Sequence, residues 1–79
     1  MASAKYTKYA QWRMHVRKVP EEAVDHVLEH YHSRRPAPRR EGALPSVIFI
    51  GEYQGRDLKV YVARDSNPPL VTTAVWEGD

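Results

Sequence analysis

The residues with the most chemical reach in this chain are cationic, and many of them come in pairs. Arg13 and Arg17 stand four positions apart. Arg34-Arg35 and Arg39-Arg40 flank Pro36-Ala37-Pro38, and Arg56, Lys59 and Arg64 follow in the second half. Such cations can neutralise phosphates without reading a base sequence. They can equally be solvated surface charge, or long side chains that lie along an amphipathic helix with their heads in water. His26 and His30, also four apart, have a spacing that can bind a transition metal, with Glu22, Asp25 and Glu29 as oxygen donors. All five fall on the solvent side of their helix, where a closed site would need ligands from elsewhere. We therefore read a solvated face and expect no metal or other cofactor. No Ser/His/Asp triad, cysteine nucleophile, glycine-rich phosphate loop or paired-carboxylate motif can be assembled from these residues.

The totals narrow the setting. With 79 residues the chain is expected to be one domain spanning 1–79, and its initial Met reads as the start of an intact chain. A domain this small buries only about 60% of its unfolded surface, so a stabilising partner would be unsurprising. There is no cysteine, hence no disulfide and no thiolate metal site. No apolar run approaches the roughly 18 residues of a membrane span. The N-terminus lacks the apolar core of a secretory signal, and a cytoplasmic protein is expected. Net charge is only +2, but residues 1–40 carry nine Lys/Arg against four Asp/Glu, while residues 41–79 carry three against six. A basic first half can face nucleic acid or an acidic partner.

The elements that must position these groups follow from periodicity. Thr7 is a candidate N-cap for a first helix in which Tyr6, Ala10 and Met14 form one row and Trp12, Val16 and Val19 another. Val19-Pro20-Glu21-Glu22 ends that helix and starts the next, with Pro20 suited to a first helical position and the glutamates to the positive end of the dipole. Val24, Val27, Leu28 and Tyr31 give the second helix an apolar stripe. Residues 33–46, with their prolines and four arginines, read as a mobile basic loop. Strands are expected over 47–53, 58–63 and 70–76, and residues 1–6 form an arm that could pair briefly with a sheet edge. Gln54-Gly55-Arg56-Asp57 reads as the break of a hairpin between the first two strands. The expected fold is α+β, with two N-terminal helices packed on a three-stranded antiparallel sheet. Lys59, Tyr61 and Arg64 are expected on its uncovered, half-polar face, with Arg56 at the edge.

Three pieces of this pattern occur together in order. The first is Thr7-Lys8-Tyr9-Ala10 with Arg13-Met14 and Arg17. The second is Pro20-Glu21-Glu22 with the Val24/Val27/Leu28 stripe. The third is Gly55-Arg56-Asp57-Leu58-Lys59-Val60 with Thr72-Thr73-Ala74-Val75-Trp76. Over roughly residues 7–76 the chain resembles the bacterial family known as domain of unknown function 4258, whose members are similar in layout to RelE/ParE-type and BrnT-like toxins. Two features depart from that pattern. Tyr9 stands where members often carry a His, and residues 1–6 barely offer the first strand usual in RelE-type toxins.

The resemblance implies a RelE-like ααβββ layout and a module that binds or cleaves RNA. Scission would proceed by attack of the 2′-OH on the adjacent phosphate. That chemistry needs a base for the 2′-OH, cations around the charged transition state and an acid for the leaving oxygen. On this reading Tyr9, Arg13, Arg56, Lys59 and Tyr61 form the catalytic set of a metal-independent endoribonuclease. Arg17, Arg34, Arg35, Arg39, Arg40 and Arg64 bind nucleic acid. Its partners would be RNA or the ribosome and an antitoxin or other protein, with no membrane. The alternative is a non-catalytic interaction or homodimerisation module working through a sheet edge or through Trp12 and Trp76. In that case Tyr53 and Tyr61 are cross-strand packing.

Overall fold

Gln54 and Gly55 both take positive φ, 51° and 83°, so a two-residue turn of the primed kind joins the central strands. Its backbone twist matches that of the strands, and both strands are longer than their apolar runs. The computed structural model describes residues 4–38 and 45–78. In chain order the elements are β1 (Lys5–Tyr6), α1 (Lys8–Arg17), α2 (Glu21–His30), β2 (Ser33–Pro36), β3 (Ser46–Tyr53), β4 (Arg56–Ala63) and β5 (Leu70–Trp76).

The α+β class fits, but the three-stranded antiparallel layout does not. The sheet is mixed and five-stranded, in the order β1-β5-β4-β3-β2. β1 pairs parallel to β5, with Lys5 opposite Leu70 and Tyr6 opposite Val71. β2 pairs antiparallel to β3, with Arg34 opposite Phe49 and Pro36 opposite Val47. Neither added strand carries an apolar alternation. β1 is two residues long, and β2 reads Ser-Arg-Arg-Pro and is exposed along its length. Both are edge strands held by backbone pairing, so the side-chain pattern gives them no signature. Short length, charge and proline are also what keep a free edge from recruiting another strand. The expected loop over 33–46 is thus corrected at its start, where 33–36 is strand. Residues 39–44 lie outside the described residues.

Both helices cover the same sheet face, α1 over β5 and α2 over β3 and β4. Thr7 caps α1, its Oγ1 accepting from the Ala10 N–H at 3.0 Å. Lys18, in the left-handed conformation, closes the helix through its N–H to the carbonyls of Met14 and His15. Pro20 sits one position earlier than expected, at the N-cap of α2 rather than inside it. The core joins Ala10, Met14, Val24 and Val27 to Leu58, Val60, Val71, Ala74 and Trp76. A register shift between Tyr61 and Val62 brings Val71 to the helix-covered face together with Ala74 and Trp76. Strict alternation would have sent it to the other face, and a bulge in the β4–β5 pairing accounts for the difference.

Candidate functional site

α2 ends before it has covered the whole sheet face. Beyond it the sheet floor continues as Val47, Phe49 and Val62, and with Leu28 these line a groove of about 660 Å³. Its walls come from β2 and from the β4–β5 turn, and three arginines stand there: Arg34, Arg35 and Arg64. Asp65 is the one acidic residue among the described lining residues.

Each arginine is placed by a local device. Arg34 lies on the helix side of β2 because it pairs with Phe49, and its guanidinium carbon stands 5.8 Å from the centre of that ring. Tyr31 meets the same ring edge-on, with centroids 4.9 Å apart. Arg35, opposite Ile48, points to the other sheet face along the same free edge. Arg64 is held where β4 ends, its N–H donating to the Pro45 carbonyl at 2.9 Å. Ser66 fixes the turn itself: its hydroxyl donates to the Ala63 carbonyl at 2.7 Å and accepts from the Leu70 N–H at 2.9 Å.

Of the expected nucleic-acid-binding residues, the structure brings Arg34 and Arg64 into the groove and sets Arg35 on the same edge, towards the other sheet face. Arg17 is elsewhere, at the end of α1, where its backbone carbonyl accepts from the Trp76 indole. Arg39 and Arg40 lie outside the described residues. The groove opens on the helix side of the sheet rather than on the uncovered face that the sequence favoured. Its apolar floor is the part that sequence reasoning missed. The alternation of β3 already separated Val47 and Phe49 from Ile48 and Ile50, but the stopping point of α2 and the pairing of β2 were needed to make a groove of them.

The expected catalytic set disperses. Tyr9 and Arg13 ride on α1 and gather about Trp12, with ring centroids 5.9 Å apart for Tyr9 and the Arg13 guanidinium 6.0 Å from the indole. Arg56 lies over Trp76 at 4.8 Å. It shares the helix-covered face with Leu58 and Val60, not the half-polar face. Lys59 and Tyr61 alternate with those residues and so face the other way. Lys59 pairs with Glu77 at 3.2 Å. Tyr61 stands between Ile48 and Thr73 in the neighbouring strands. One phosphate cannot reach both Tyr9 and Tyr61, because the sheet stands between them.

Two tyrosines have hydroxyl groups in altered surroundings. Tyr6 is pushed up to about 12, by burial first and then by the carboxylates of Asp25 and Glu21. Tyr53 is raised by loss of solvent and then by Glu22, which also accepts its hydrogen bond. The His26 ring meets Tyr53 edge-on at 5.8 Å and lies tilted against the His30 ring at 4.9 Å, but no group of three metal-ligating side chains gathers among the described residues. No helix among them is long and apolar enough to cross a membrane. Comparison with family models, with curated proteins and with solved structures finds no match to this chain.

Proposed function

We propose that this chain is a non-catalytic module that binds single-stranded RNA along the groove between β2 and the β4–β5 turn. The observation that carries the reading is the convergence of Arg34 and Arg64 around an apolar floor containing Phe49, with Arg35 beside them on the same free edge. Single-strand binders combine these two properties, a positive track for the backbone and an aromatic or guanidinium plane against which a base can stack. A volume of about 660 Å³ falls within the usual span of ligand sites, about 300–1,000 Å³. The scission chemistry implied by the family resemblance draws no support from the dispersed tyrosines, so the reading stops at binding.

The test is fluorescence anisotropy of a labelled oligouridylate titrated with the protein across a salt series. For the two arginine–phosphate contacts of the groove the slope of log K against log salt is expected near about −1.4, from about −0.7 per contact on a single strand. The double variant Arg34→Ala/Arg64→Ala is expected to bind at least about tenfold more weakly. Salt-independent affinity, or a double variant that binds like the wild type, would overturn the proposal.

A further inference from the structure

A second surface lies on α1, away from the groove. Tyr9, Trp12 and Val16 are 56%, 56% and 50% exposed, the three most exposed large apolar side chains among the described residues. At about 100° per residue they fall within about 60° of one another, so they form a single ridge beside the buried Ala10/Met14 face. An isolated exposed apolar side chain means little, but three in register that include a tryptophan are unusual on a small domain. The ridge is flanked by cations on both sides, Arg13 and Arg17 towards the core and Lys8 towards solvent, and α1 contains no acidic residue. Arg13 and Arg17 are half-buried, with Nε atoms shielded from solvent and unpartnered among the described residues. The Arg13 guanidinium carbon stands 6.0 Å from the centre of the Trp12 ring, beside the ridge.

We infer that the α1 ridge of Tyr9, Trp12 and Val16 docks an acidic amphipathic helix of a partner protein. That helix would bring an aliphatic stripe to the ridge and carboxylates to Arg13, Arg17 and Lys8. Charge selects this occupant over a second copy of the chain. The carboxylates of α2, Glu21, Glu22, Asp25 and Glu29, come with no matching apolar row, and two of them, Glu21 and Asp25, already act on Tyr6 of this same chain. Ridge-to-ridge pairing would set two basic helices against each other. The width of the ridge disfavours a lipid surface, because an interfacial helix buries a broad apolar face, whereas a sector of about 60° fits one facing helix.

The probes are two synthetic helical peptides with the same leucine stripe, one flanked by glutamates and one by lysines. Binding to the whole chain is read by calorimetry. The glutamate peptide is expected to bind at least about tenfold more tightly than the lysine peptide, with an on-rate that falls as salt rises. Trp12→Ala should weaken it by at least about tenfold, as loss of a central aromatic anchor does. The residue is exposed, so the variant should keep the wild-type circular dichroism. Arg34→Ala, in the groove, should leave peptide binding unchanged, which separates this surface from the RNA reading. Equal affinity for the two peptides, no binding of either, or a Trp12→Ala variant that binds normally would overturn the inference. So would concentration-dependent dimerisation lost in Trp12→Ala, or preferential binding to anionic phospholipid vesicles.

Discussion

The indole Nε1 of Trp76 donates a 3.0 Å hydrogen bond to the backbone carbonyl of Arg17, joining the last strand to the end of the first helix across 59 positions of sequence. The carbonyls of a helix's last turn have no intrahelical partner, so this bond satisfies an acceptor that the helix cannot. The other side of the same indole carries the Arg56 guanidinium. One side chain thus ties together α1, β5 and the start of β4.

Replacing that indole separates the bond from the packing. Trp76→Phe keeps an aromatic ring but leaves the Arg17 carbonyl without its donor, and we expect a loss of about 1–3 kcal/mol. Trp76→Ala also opens a cavity and should cost about 3–5 kcal/mol. Urea unfolding followed by circular dichroism measures both. A phenylalanine variant as stable as the wild type would show that the bond contributes nothing.

Gly51 sits where α2 comes down onto β3. A Cβ built there would lie 3.3 Å from the Tyr31 Cα and 3.3 Å from a methyl of Val27. The Tyr31 contact is backbone and cannot rotate away. Gly51→Ala should therefore lift the end of α2 from the sheet and cost about 1–3 kcal/mol, as overpacking does. Thermal unfolding tests this, and an unchanged or raised midpoint would mean that α2 can move at no cost.

Tyr6 makes stability depend on pH at the alkaline end. Its hydroxyl is buried without a hydrogen-bond partner among the described residues, and its folded-state pKa is raised from 10.0 to about 12. A raised pKa means that the contribution is fully present below the unfolded value and is lost as the pH rises through the folded one. The wild type should thus lose stability between pH 10 and about 12. Tyr6→Phe should flatten that limb and, by removing an unsatisfied hydroxyl, leave neutral-pH stability unchanged or raised by up to about 1 kcal/mol. Denaturant midpoints measured across this range in both proteins decide the matter. Parallel pH profiles would exclude Tyr6 as the cause.

The placement of Tyr9 and Tyr61 on opposite sides of the sheet carries an expectation for RNA. Bound RNA should remain intact, with no cyclic-phosphate product above the uncatalysed background on a denaturing gel. Tyr9→Phe and Tyr61→Phe should also leave RNA affinity within about twofold. Cleavage that disappears in either variant would reverse this expectation and restore a catalytic role for that residue.

The sequence was most legible where side-chain burial drives structure. The Ala10/Met14 row, the Val24/Val27 stripe and the alternation of Leu58, Val60 and Val62 all mark the faces that meet in the core. Thr7 announced its cap, because a threonine before a helical run has one obvious hydrogen bond to make. The candidate site was legible only as charge. Arg34, Arg35 and Arg64 stood out as cations, but nothing in their spacing set them apart from Arg13, Arg17 or Arg56.

By itself, then, the sequence determined two helices and three strands, the faces they bury and an α+β class, since period and burial are local properties of the chain. Tertiary structure decided the rest. Lys5–Tyr6 and Ser33–Pro36 became strands because neighbouring backbones offered them partners, and backbone pairing leaves no mark on side-chain periodicity. The same pairing set Arg34 on Phe49, and the Arg64 N–H found the Pro45 carbonyl 19 positions back in the chain. A groove made from α2, β2, β3 and one turn depends on where those elements stop relative to one another, and that relation exists only once the chain has folded.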